Sequence, residues 1–138
     1  MGRRIKNRVA IVTGAAQGIG ATYAKAMAKE GASVVIADLD DGQPVVDEIR
    51  EEGGEAFNLV TDVSDENSAA NMVSETVDRY GKVDILVTNA AIFGKLQAKP
   101  WMALIPWNRT FCNILLPFSI LIKPALRSFA RSSIWHLC

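Results

Sequence analysis

The sequence of 138 residues predicts an α/β fold, a parallel β-sheet with helices on both faces. Two observations carry the prediction. From Val9 onward, apolar runs of strand length alternate with segments of helical period, and the joints between them are short and marked by glycine or polar residues. The strand segments are also continuously apolar, the pattern of strands covered on both sides. A third observation limits the sheet: the regular alternation stops near residue 95, so the fold is expected to be incomplete, with an irregular helical tail.

The elements follow in order. Val9 to Val12 is the first strand, and Thr13-Gly14 breaks it. A helix is predicted from Gly18 to Glu30, with Ile19, Tyr23, Ala26 and Met27 on its apolar face and Gly31 as its C-terminal stop. Ser33 to Ala37 repeats the buried-strand pattern, and Asp38 ends it. Pro44 suits the first turn of a second helix, where its missing N–H would be unpaired anyway; Val45, Val46 and Ile49 supply the apolar face before Gly53-Gly54. The third strand is Ala56 to Thr61. Ser64 is expected to cap a third helix that carries Asp65 and Glu66 in its first turn, against the positive end of the dipole. Ala69, Met72, Val73, Thr76, Val77 and Tyr80 keep the helical period until Gly81. A fourth strand, Ile85 to Thr88, opens on Asn89-Ala90-Ala91, and beyond Lys99 a helix broken by Pro106, Pro117 and Pro124 is expected.

Composition narrows the function classes. Hydrophobic residues at 49% and charged residues at 22% are those of a globular protein and argue against intrinsic disorder. The net charge of zero conceals an asymmetry: residues 1–84 hold nine basic and all fifteen acidic residues, whereas residues 85–138 hold six basic residues and no acid. Gly94 is the last glycine, and all three tryptophans lie beyond residue 98. Two units are therefore expected, residues 1–95 as a regular half-domain and residues 96–138 as a divergent, partly helical tail, with a genuine tail, a misread frame and a splice product all open as its origin. Cys112, Cys138 and the single histidine, His136, offer neither a disulfide framework nor a metal-ligand set, and the expected location is the cytoplasm. The longest apolar run, Ile114 to Ile122, is too short to span a bilayer, and Arg3, Arg4, Lys6 and Arg8 read as a solvated lead-in to the first strand; neither a membrane nor a nucleic-acid partner is expected.

The chemistry is concentrated between the first strand and the first helix. Thr13-Gly14-Ala15-Ala16-Gln17-Gly18-Ile19-Gly20 places glycines where a chain must turn tightly and let a pyrophosphate approach a helix N-terminus. Asp38 follows at the end of the second strand, where a carboxylate can accept hydrogen bonds from ribose hydroxyls. These residues predict dinucleotide binding on a Rossmann-like sheet.

The spacing Thr-Gly-x-x-x-Gly-x-Gly resembles that of the short-chain dehydrogenase/reductases, over roughly residues 5–95. Asp62-Val63 looks like the family's adenine-contacting pair, and Asn89-Ala90-Ala91 is similar to its turn after the fourth strand. The resemblance implies the strand order 3-2-1-4. It implies cofactor contacts from Thr13, Gly14, Gln17, Gly18, Ile19, Gly20, Asp38, Leu39, Asp62, Val63, Asn89, Ala90 and Ala91. Asp38 would welcome a ribose 2′-hydroxyl and repel a phosphate, and Leu39, Ala16 and Gln17 supply no cation to neutralise one, so NAD is expected over NADP.

For catalysis the resemblance implies hydride transfer between nicotinamide and an alcohol or carbonyl carbon, with a Tyr-x-x-x-Lys pair as acid/base. The only tyrosines, Tyr23 and Tyr80, are followed four residues later by Met27 and Asp84, so that pair is absent. Trp107-Asn108-Arg109 followed by Asn113 is similar to the stretch carrying the family's catalytic Asn, which makes Asn113 a candidate. Ser132 and Ser133 vaguely resemble the strand-end serines. The expectation is a truncated NAD-dependent oxidoreductase, inactive alone, with a substrate of unknown class. The alternative is a non-catalytic NAD-binding module or a partner subunit in a homo- or hetero-oligomer with a full-length relative.

Overall fold

The structure is a computed structural model and describes residues 4–91. Strands β1 (Val9–Thr13), β2 (Ser33–Asp38), β3 (Glu55–Val60) and β4 (Ile85–Val87) are linked by helices α1 (Gly18–Lys29), α2 (Gln43–Glu51) and α3 (Glu66–Tyr80). The strands form one sheet in the order β3-β2-β1-β4, with every pair parallel. Fold class, element order and strand order are those the sequence implied, with strand ends displaced by a residue at most. The expected tail helix and Asn113 lie outside the described residues.

Alternation of side chains along each strand sends them to two cores. On one face Ala10, Val12, Val34, Ile36 and Ala56 lie under α1 and α2, which contribute Ala24, Ala28, Val45, Val46 and Ile49. On the other, Ile11, Val35, Ala37 and Phe57 meet Ala69, Met72 and Val73 of α3. Side chains such as Ile11, Ile36 and Met72 are wholly buried, and each contributes about 1.5–3 kcal/mol.

Two expectations are corrected. Helix α1 buries Gly20, Ala21, Ala24 and Ala28, not the face of Ile19 and Tyr23, which are 69% and 45% exposed. Both stripes share the helical period, but α1 starts too close to the β1 loop for a large side chain: a Cβ on Gly20 would stand 2.2 Å from the Gly14 carbonyl oxygen. The α3 cap is Asp65, whose carboxylate accepts the Asn67 N–H at 3.0 Å; the Ser64 hydroxyl instead donates to Asp62 Oδ1 at 2.6 Å. The stops stand as expected. Gly31 takes φ 93° after α1, and Gly81 is the left-handed cap of α3.

At the edge where the strands begin, Asp84 ties β4 to β1. Its carboxylate is 4% exposed, accepts the Val9 N–H at 2.9 Å and pairs with Arg8 at 2.8 Å and Lys82 at 2.9 Å. Burial pushes this carboxyl up, but the hydrogen bonds from Lys82, Val9 and Arg8 outweigh it and hold the group below its ordinary value. Arg8 is thus an anchor and not merely part of a solvated lead-in.

Candidate functional site

Because the strands are parallel, their carboxyl ends deliver Gly14, Leu39, Thr61 and Thr88 to one edge of the sheet. The β1–α1 loop turns there through Gly14, at φ 66°, where a Cβ would come within 2.7 Å of the Ala90 Cα. The turn after β4 is pressed onto this loop and bonded to it. Asn89 Nδ2 donates to the carbonyls of Thr13 (3.1 Å) and Gly14 (2.9 Å), while the N–H groups of Asn89 and Ala90 donate to Thr13 Oγ1 at 3.1 and 3.2 Å. Thr13 in turn donates its hydroxyl to the Val87 carbonyl at 3.3 Å. Thr13, Gly14, Gly20, Asn89 and Ala90 therefore form one clamp that shapes the loop, and the Asn89 amide is spent on protein carbonyls.

Beyond the clamp the loop opens to solvent. Gln17 precedes α1 with extended backbone (φ −157°) and no side-chain cap, which leaves the first N–H groups of the helix without a side-chain acceptor. Gly18, at φ 61°, has no heavy atom within 4 Å of where a Cβ would stand. An uncapped helix N-terminus beside a bare glycine suits an anion that needs close backbone approach. Asp38 lies across from it: Oδ2 accepts the Ala16 N–H at 2.9 Å and Oδ1 the Asp40 N–H at 3.2 Å. Its carboxylate thus joins the β1–α1 loop to the loop after β2.

Farther along the edge, Asp62 Oδ1 accepts the Ser64 N–H at 2.9 Å as well as its hydroxyl, and these bonds hold the carboxyl below its usual range. Val63 is half-buried against the α3-side core. Among the described residues, three of the four large exposed hydrophobic residues stand where strands end or helices begin on this edge: Ile19, Leu39 at 60% and Val60 at 66% exposure. The structure thus brings together Thr13, Gly14, Gln17, Gly18, Ile19, Gly20, Asp38, Leu39, Asp62, Val63, Asn89, Ala90 and Ala91 along one sheet edge. The sequence reading does not single out Asn58, whose side chain accepts the Gly42 N–H and donates to Asp41 in the loop beside Asp38. The available signal was a polar Asn inside an otherwise apolar third strand.

A sheet of this order with a glycine-turned loop, an uncapped helix start and an acid ending β2 defines a Rossmann-like unit. Comparison with known proteins narrows it. The profile of the short chain dehydrogenase family matches residues 8–121, and the chain belongs to that family. A cis-4-hydroxycyclohexanecarboxylate dehydrogenase of Sinomonas cyclohexanicum is 38% identical over 133 residues, 96% of this chain and 53% of that one. An uncharacterized oxidoreductase of Thermotoga maritima is 49% identical over 90 residues, 64% of this chain and 35% of that one. Among solved structures, a hydroxysteroid dehydrogenase from Escherichia coli superposes with a TM-score of 0.79 at 34% identity, covering 92% of this chain and 54% of that one. The chain spans about half or less of the length of these relatives.

Proposed function

We propose that this chain supplies the NAD-binding half of a short-chain dehydrogenase/reductase. The observation that carries the reading is the Asp38 carboxylate, set at the end of β2 and bonded to the Ala16 N–H of the glycine-turned loop. The uncapped start of α1 and Gly18 would hold the pyrophosphate, Asp38 the adenosine ribose, and Asp62 with Leu39 the adenine side. When bound, the nicotinamide would accept or donate hydride against an alcohol or carbonyl carbon. Two similar proteins, a hydroxysteroid dehydrogenase and a cis-4-hydroxycyclohexanecarboxylate dehydrogenase, are by name in keeping with that class.

Calorimetric titration with NAD and NADP tests the reading. Tighter binding of NAD by at least about tenfold is expected from carboxylate–phosphate repulsion, and Asp38→Asn should narrow the gap. NADP binding as tight as NAD would refute it. A second reading, a binding module or a subunit completed by a full-length relative in a mixed oligomer, is favoured by one observation. Neither Tyr23 nor Tyr80 has a Lys four residues on. On that ground this chain alone should produce no NADH above background across a panel of alcohols. Steady turnover by contaminant-free protein would count against it.

A further inference from the structure

We propose that Asn58 is a positioning residue that sets the cofactor preference by clasping the loop beside Asp38; the inference rests on the NAD-binding reading. Asn58 stands inside β3, in register with Ile36 of β2. Its side chain leaves the strand toward the loop that joins β2 to α2. Oδ1 accepts the Gly42 N–H at 3.2 Å, and Nδ2 donates to Asp41 Oδ1 at 2.7 Å. The same Asp41 oxygen accepts the Gln43 N–H at 3.0 Å.

Close packing reinforces these bonds. Gly42 is buried, and a Cβ there would fall 2.4 Å from Ile36 Cγ2 and 2.9 Å from Asn58 Oδ1. The far end of the loop is therefore fixed to the sheet. At its near end the Asp40 N–H bonds Asp38 Oδ1 at 3.2 Å, so the stretch Leu39–Asp41 is held at both ends. Holding the loop keeps the Asp40 N–H on Asp38 Oδ1 and so keeps that carboxylate in one place; once released it can swing away from a 2′-phosphate, which relieves repulsion for NADP and gives no such relief for NAD.

The clasp also requires an amide at position 58. One atom must accept from Gly42 and the other must donate to a carboxylate, which Asn does and neither Asp nor Leu can do. An Asp there would set two carboxylates against each other at hydrogen-bonding distance. The roles can be exchanged at constant charge: in the double variant Asn58→Asp with Asp41→Asn, position 58 accepts from both Gly42 and the amide of position 41, and only the exposed bond from the Gln43 N–H to the replaced Asp41 oxygen is given up.

The experiment combines titration of NAD and NADP with amide hydrogen exchange of the cofactor-free protein. In Asn58→Leu the ratio of NAD to NADP affinity should fall about fivefold or more, and exchange at Gly42 and Asp40 should quicken. The Asn58→Asp, Asp41→Asn pair should restore the ratio to within about twofold of wild type. Should Asn58→Leu fail to fold, Asn58→Ser takes its place. A ratio unchanged by the single variant, a swap that behaves like it, or a wild-type Gly42 N–H that exchanges freely would each overturn the proposal. If wild type binds neither dinucleotide, the NAD reading falls, while the exchange measurements still decide whether the clasp exists.

Discussion

Replacing Gly20 with alanine should damage the protein far more than the same change at Gly18, although both glycines belong to one motif. At Gly20 the added Cβ would meet the Gly14 oxygen at 2.2 Å and Asn89 Nδ2 at 2.6 Å. Neither atom is the free end of a flexible side chain, because Asn89 Nδ2 is itself bonded to the Gly14 oxygen at 2.9 Å. Relief requires α1 to lift from the loop by roughly 1 Å, at an overpacking cost of about 1–3 kcal/mol. The two Asn89 bonds would go with it, at about 1 kcal/mol each. The sum is about 3–5 kcal/mol, a large part of the roughly 5–15 kcal/mol that stabilises a domain, and a fall in Tm of about 12–20 °C. At Gly18 the new methyl meets nothing within 4 Å, and only the left-handed backbone, φ 61°, is strained, at about 1–2 kcal/mol. Its Tm should fall by about 4–8 °C, and on the proposed NAD-binding reading NAD affinity should drop about tenfold or more, because the methyl would stand where that reading puts the pyrophosphate. Thermal unfolding followed by circular dichroism, with titration of both variants, reads all of this. Gly20→Ala melting within about 4 °C of wild type would refute the packing argument.

Other expectations follow from single contacts. Asp84→Asn keeps an acceptor for the Val9 N–H but discards the charge facing Arg8 and Lys82; since these cations are 42% and 46% exposed, water compensates in part. The loss should be about 1.5–3 kcal/mol by urea unfolding, below the 3–5 kcal/mol of a fully buried pair. Because the Asp84 carboxyl is held lower in the folded chain, its contribution is complete above the unfolded value, near 3.8, and is lost as pH falls through the folded one. Unfolding midpoints of wild type should therefore drop below about pH 4 more steeply than those of Asp84→Asn, and parallel curves would contradict the assignment. Asp65→Ala should cost about 1 kcal/mol and Ser64→Ala only a few tenths, since the former caps α3; the reverse order would show that the cap lies one residue earlier.

The sheet was legible because burial on both faces leaves unbroken apolar runs, and Val9–Val12 and Ser33–Ala37 can be read in no other way with short glycine-marked joints between them. The orientation of α1 was not. Ile19, Tyr23 and Met27 form the bulkier stripe, and bulk is the usual guide to the core. Here the helix begins against the loop that precedes it, so closeness of backbones selected Gly20, Ala21 and Ala24 instead. The α3 cap failed for a local reason. Ser64 and Asp65 are adjacent capping types, and Asp62 captures the Ser64 hydroxyl before it can serve the helix.

The candidate site divides along the same line. The candidates from Thr13 to Gly20 lie within one strand-loop-helix unit, and Asp38 ends the strand that follows it, so their order along the chain already places them at one sheet edge. Asn89 is a candidate by its place after the fourth strand, but the grip of its amide on Thr13 and Gly14, 76 and 75 positions away, is visible only in the folded sheet. Asp84 reaches Arg8 and Asn58 reaches Gly42 in the same manner, across strands that only the folded sheet brings together. These distant residues share a task. They hold the ends of loops whose middles stay open: Asn89 the glycine turn, Asn58 the stretch after Asp38. An open loop fixed at its base costs little to order when a ligand arrives, and a polar residue lying out of pattern in an apolar strand marks where such a base is fastened.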